Sequence, residues 1–169
     1  MDILKEIEER KSIRNFRPDK IEKEKLVRIL EAGRQAPSAK NRQQWRFIVI
    51  EDKSIRERIC SAAYGQEYIG LAPIVIAACT TNIEYRMPNG QLSYPIDISF
   101  AVSFMVLQAV REGLGTCCMT TYDEQSVKEI LTVPHAMRVV MLVVLGYADE
   151  TPEHTPRKPV KKIVSYNHW

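Results

Sequence analysis

The sequence has no CxxC pair, no GxSxG elbow and no P-loop, and its "GLGT" stretch lacks the full dinucleotide-binding fingerprint. Its three histidines, His135, His154 and His168, lie far apart with no nucleophile placed beside them. Zinc held by a Cys/His framework and hydrolysis by a Ser/His triad are therefore without support, and no metal site is expected. The four cysteines, Cys60, Cys79, Cys117 and Cys118, read as reduced thiols packed in a core, and a disulfide between the adjacent pair would be strained. No apolar run is long enough to span a membrane: the longest, "PIDISFAVSFMVLQAV", carries Asp97 and Gln108. The opening "MDILKEIEERK" has acidic residues and no apolar stretch of the signal-peptide kind, which predicts a cytoplasmic protein. A net charge of +3 is compatible with an anionic ligand but lacks the concentrated basic face that nucleic acid requires.

What is present fits one domain over residues 1–169, with an ordinary apolar fraction of 45%. Ile3, Leu4 and Ile7 predict a helix over 2–10, followed by an extended piece up to Pro18. A second helix is expected from Glu22 to Ala36, stopped by Pro37. "WRFIVIED" reads as a strand, and "SIRERICSAAY" as a helix capped by Ser54. "PIVIAACTT" reads as a strand buried on both faces. A polar excursion with a turn at Pro88-Asn89-Gly90 leads into a core helix over Tyr94–Arg111. "GLGTCCMTT" turns back into a short strand, Asp123 caps a helix ending near Leu131, and "RVVMLVVLGYA" is the clearest strand of all. The class is α+β, a three-layer α/β/α arrangement in which helices cover a small mixed sheet. After Asp149 the chain becomes proline-rich and basic, without a core face. That tail is expected to be disordered or to lie against something outside its own fold.

Four polar stretches stand out. In "RKSIR" an extended backbone would point Arg10, Ser12 and Arg14 one way and Lys11 the other. Guanidiniums offer planar forks of donors suited to phosphate or carboxylate. "APSAKNRQQW" alternates Ser38, Asn41 and Gln43 beside an aromatic. "EGLGTCCMTT" and "TPRKP", with Arg157 and Lys158, complete the set. Singly, each also fits an ordinary helix end, capping loop, glycine turn or solvated tail.

Their order along the chain resembles the nitroreductase family of FMN-dependent oxidoreductases over essentially the full length. That family opens on Arg-Arg/His-Ser-x-Arg/Lys, continues with "APSxxNxQPWxF" and "GLGT", and ends with a basic residue before proline. Here these are "RKSIR", "APSAKNRQQWRF", "GLGT" and "PRKP". Gln44 departs from the pattern, since the family usually has proline there. The length also leaves little room for the extra helical excursion of larger members. The resemblance implies a homodimer with FMN at the subunit interface, a tail exchanged between subunits, and NADH or NADPH as co-substrate. Arg10, Lys11, Ser12 and Arg14, with Arg157 and Lys158 from the tail, would hold the FMN phosphate and ribityl chain. Pro37, Ser38, Ala39, Asn41 and Gln43 would come from the other subunit. Gln66 would face the flavin ring, with Cys118, Met119, Thr120 and Thr121 beneath it. Asp97 reads as structural, and no side chain stands out as a catalytic acid or base. The implied activity is transfer of reducing equivalents to small electron-poor acceptors such as nitroaromatics, quinones or flavins. Dehalogenation, flavin processing and flavin carriage without turnover are the alternatives on the same fold.

Overall fold

In the computed structural model, residues 3–169 are described; Met1 and Asp2, at the start of the first expected helix, lie outside them. The chain runs α1 (Lys5–Glu9), α2 (Lys23–Arg34), β1 (Trp45–Ile50), α3 (Lys53–Ala62), α4 (Tyr68–Leu71) and β2 (Ile74–Thr80). It continues with α5 (Tyr94–Arg111), β3 (Gly115–Met119), α6 (Glu124–Leu131) and β4 (Arg138–Gly146). The strands form one sheet in the order β1-β2-β4-β3.

All three strand pairs are antiparallel, where a mixed sheet was expected. The parallel pairing among the described residues is a single bridge, Ser12 to Thr116. Hydropathy could not settle this, because a strand buried on both faces reads the same in either direction. All seven residues of β2 are buried, as its continuous apolar run requires.

Alternation along the strands divides the core in two. Val75, Ala77, Leu142, Val144, Cys117 and Met119 face α3, α4 and α6, where they meet Ile59, Ile69 and Val127. Ile74, Ile76, Val143 and Leu145 face α2 and α5, where they meet Ile29, Ile98, Val102 and Met105. Helices thus cover both faces of the sheet, giving three layers. Gly33 brings α2 close to α5: a Cβ there would lie 2.8 Å from the Met105 Cε.

Two local readings change. The α3 cap is Asp52, not Ser54: its carboxylate accepts the Ile55 N–H at 3.0 Å and the Ser54 hydroxyl at 2.6 Å. Ionised, Asp52 is the stronger acceptor at a helix N-terminus. The short α4 was also not anticipated. It follows a turn in which Tyr64 and Gly65 both adopt positive φ, at 56° and 77°.

The tail departs from expectation in its first part. The Asp149 N–H donates to the Asn15 carbonyl at 2.9 Å, and the Glu150 carboxylate accepts the backbone N–H groups of Arg14 and Asn15. Residues after Asp149 therefore return along the opening strip of their own chain. Beyond Lys158, Val160, Ile163, Val164, Tyr166 and Trp169 are exposed.

Candidate functional site

The opening strip is held in place by backbone bonds on both sides. Arg10 leaves α1 at φ −58°, ψ 121°, so the helix ends and the strip extends. The Ile13 N–H donates to the Thr116 carbonyl and the Arg17 N–H to the Tyr147 carbonyl, both at 2.9 Å. Gly115 permits the approach, since a Cβ there would come 2.7 Å from the Ile13 Cγ1. No real side chain tolerates that distance, so the glycine of the "GLGT" turn sets the strip against β3.

A polar cleft of about 240 Å³ opens where strip and tail meet. It is lined by Arg10, Lys11, Ser12, Arg14, Arg157, Glu153 and His154, with Pro152 and Thr155. Four permanent cations face one carboxylate there. A second, mostly apolar cleft of about 440 Å³ shares Arg10 and Ser12 with the first. Its floor is Thr116, Cys118 and Met141, and its wall is the α5 face bearing Ser99, Val102, Ser103, Val106 and Leu107. The pair offers an anion-binding end continuous with a broad apolar end.

Lys11 lines the polar cleft, although strict alternation would point it away; the strip is not a regular strand at that residue. Lys158 lines neither cleft. Cys118 lies in the apolar cleft, but Met119 points to the opposite face of the sheet, into the core with Cys117. Cys117 and Cys118 therefore face away from each other, and all four thiols are free. Thr120 and Thr121 lie beyond the end of β3; Thr120 borders a different hollow with Tyr94, Tyr122 and Arg138.

Gln66 is half-buried and accepts a hydrogen bond from the Tyr68 hydroxyl. Burial pushes the Tyr68 phenol and the Cys117 thiol up, and the neighbouring Arg14 guanidinium opposes the rise in both. Arg14 thus connects the polar cleft to the Gln66–Tyr68 pair.

The Pro37–Gln43 loop is not brought to either cleft within one chain. It is held at the far end of α5, where buried Asp97 accepts the Ala39 N–H at 2.9 Å. Ser38 Oγ accepts the Gln43 N–H at 2.9 Å, and the Arg42 guanidinium stacks 3.7 Å from the Tyr85 ring centroid. Lys40, Asn41 and Gln43 all have positive φ, between 53° and 54°. Strained non-glycine residues of this kind persist only where surrounding contacts hold them.

A family model named the nitroreductase family matches residues 7–67 and 60–147. The chain belongs to the nitroreductase family. It is 27% identical over 186 residues to a NADH dehydrogenase of Thermus thermophilus, covering 92% of this chain and 91% of that one. It is 25% identical over 183 residues to an iodotyrosine deiodinase of Thermotoga neapolitana, covering 94% of each. A solved FMN-dependent nitroreductase from Clostridium difficile aligns at a TM-score of 0.85 with 28% identity, covering 97% of this chain and 98% of that one.

Sequence reasoning did not find several cleft residues of this nitroreductase-family chain. Ser99 and Ser103 were hidden inside what reads as a core helix, although serine four residues apart on an apolar helix marks one face. Thr116 was hidden inside the glycine turn. His154 and Thr155 lay in a tail with no periodicity to place them.

Proposed function

We propose that the chain is an FMN-dependent oxidoreductase that carries reducing equivalents from NADH or NADPH to a small electron-poor acceptor, working as a homodimer. The observation that carries this reading is the polar cleft, in which Arg10, Lys11, Arg14, Arg157 and Ser12 converge beside an apolar cleft. This donor set fits the group: guanidiniums and a hydroxyl suit a phosphate, and the apolar end suits a flat ring. The names of the FMN-dependent and NADH-dependent relatives support the same chemistry.

Arg10 and Ser12 border both clefts, which suits them to hold the phosphate end and orient the chain leading from it. Arg157 and Lys11 add charge at the same end. Thr116, Cys118 and Met141, with Val102 and Val106 of α5, exclude water from the apolar end. When bound, FMN supplies the hydride-accepting ring, loaded by a nicotinamide and emptied by the second substrate in turn. Arg14, which lines the polar cleft and not the apolar one, would add its positive charge at the phosphate end.

The homodimer is supported by two features. The Pro37–Gln43 loop is preset yet lines neither cleft of its own chain. Phe100 and Phe104 on α5, Leu4 and Ile7 on α1, and the apolar residues after Lys158 are exposed, more than a face meant for water carries. In the dimer that loop would reach the clefts of the second copy.

The test is the absorbance spectrum of the protein loaded with FMN, before and after anaerobic addition of each nicotinamide. Bleaching of bound flavin is expected. A flavin that is retained but not bleached by either nicotinamide would make the protein a carrier. The deiodinase relative favours one second reading, reductive dehalogenation, for which halide release from an iodinated phenol is the distinguishing assay.

A further inference from the structure

His154 lines the polar cleft beside Arg10, Arg14 and Arg157. Its position follows from the return of the tail. Glu150 ties the chain to the Arg14 and Asn15 amides, and Pro152 and Pro156 keep the next residues out of helix. The strap between them has no regular structure, and His154 on it lines the same cleft as the cationic cluster. We propose that His154 is a proton-dependent ligand of the flavin phosphate, which makes FMN retention by this chain tighter in mild acid. The proposal rests on the FMN reading above.

The charged groups facing this imidazole are Arg10, Lys11 and Arg14 from the strip and Arg157 and Glu153 from the tail. The four cationic side chains give the cleft an attraction for anions. Histidine is the side chain whose charge changes between pH 5 and 8. A phosphomonoester carries about −1.5 to −2 charges near neutrality. Its presence in the cleft favours the protonated ring, which then offers the phosphate a charge-assisted donor. Neutral, the ring still offers one N–H but no charge. Proton uptake and FMN binding are therefore linked through one residue of the tail.

The phosphate also changes charge near pH 6, so the pH profile of the unaltered protein is not decisive by itself. Comparison with variants isolates the imidazole. Apoprotein is titrated with FMN and with riboflavin at pH 6 and pH 8, using the unaltered chain, His154→Gln and His154→Lys. His154 is exposed, so both variants should fold. His154→Gln is expected to weaken FMN binding roughly tenfold at pH 6, as loss of a hydrogen bond to a charged group implies, and much less at pH 8. Riboflavin, without a phosphate, should bind all three chains alike. His154→Lys should bind FMN tightly at both pH values, because its charge is permanent. Equal losses at the two pH values in His154→Gln, or a lysine variant no better than glutamine, would overturn the proposal. If the unaltered chain binds riboflavin and FMN equally, the phosphate site itself fails and the proposal falls with it. If it binds neither flavin, the FMN reading fails as a whole.

Discussion

The Glu150 carboxylate accepts the Asn15 backbone N–H at 3.1 Å, joining residues 135 positions apart. The same oxygen accepts the Arg14 N–H, so one side chain fixes both the strip and the start of the tail. Removing it frees two backbone donors to water rather than burying them, so folding should be little affected. The strap that carries Arg157 over the strip should loosen. Glu150→Ala is expected to weaken FMN binding about three- to tenfold, as loss of one to two exposed hydrogen bonds implies. Flavin titration checks the affinity, and thermal unfolding should move by only a few degrees.

This pairing also shows where the sequence was readable and where it was not. β2 and β4 declared themselves because burial on both faces leaves an uninterrupted apolar run, and α5 because apolar residues fill its exposed face as well as its buried one. Arg10, Ser12, Arg14 and Arg157 stand out through the order of motifs that resembles the family, since singly each also fits an ordinary helix end or solvated tail; the structure brings the four to one polar cleft. The return of the tail was not legible: its partners are backbone groups of a distant segment, and backbone donors leave no mark on composition. Strand direction was hidden for a similar reason, since pairing of β2 with β4 depends on the path of the connections. The α5 face bearing Ser99, Phe100, Ser103 and Phe104 was masked by the apolar residues interleaved with it.

The last eleven residues test assembly separately from the phosphate cleft. A chain ending at Lys158 keeps His154 and Arg157 but loses Val160, Ile163, Val164, Tyr166 and Trp169, all exposed here. If these cover a second subunit, the shortened chain should dissociate at concentrations where the full chain is dimeric. Sedimentation velocity over a dilution series measures this. An unchanged dimer would assign the apolar tail residues no part in assembly.

Thiol chemistry follows from strand alternation. Cys118 is exposed and lies in the apolar cleft, whereas Cys117 is buried on the other face of β3. The Cys79 and Cys118 thiols are both pushed up to about 11, chiefly by desolvation, so thiolate content does not separate them. Reagent access does: Cys118 is exposed and Cys79 buried. Alkylation of native apoprotein at pH 8 should therefore modify Cys118 first, with Cys79 and Cys117 reacting only on unfolding. Prior loading with FMN should protect Cys118, as peptide mass spectrometry would register. Reducing agent should leave the melting temperature unchanged.

The Arg28–Glu112 pair ties α2 to the end of α5, with bonds of 2.8 and 2.7 Å. The guanidinium first, and then the Gln108 amide, hold the Glu112 carboxyl down at about 2, below the ordinary 4.5. A carboxyl lowered by folding contributes stability that is full above its unfolded value and is lost as pH falls through the folded one. The Glu112 contribution is thus present at pH 6 and disappears between about 4.5 and 2. Arg28 is half-exposed, so solvent screening keeps the contribution of the pair small. Glu112→Gln should melt a few degrees lower at pH 6, and the gap should close as the pH is taken toward 2.

Arg10 offers the most direct test of the anion site, because it borders both clefts while its backbone only ends a helix. If its guanidinium holds the FMN phosphate, Arg10→Gln removes a charge-assisted bond worth roughly 1.5–3 kcal/mol. That corresponds to about ten- to a hundredfold in affinity for FMN. Riboflavin presents the same ring and ribityl chain without the phosphate, so its weaker binding should hardly change. Raising salt should weaken FMN binding to the unaltered chain more than to the variant, since screening acts on the charge that the variant lacks. A surface arginine that merely ends α1 predicts equal small effects on both ligands and no difference in salt dependence. Parallel titrations of the two apoproteins with both flavins, at low and at physiological salt, separate these outcomes; equal losses for FMN and riboflavin would remove Arg10 from the phosphate site.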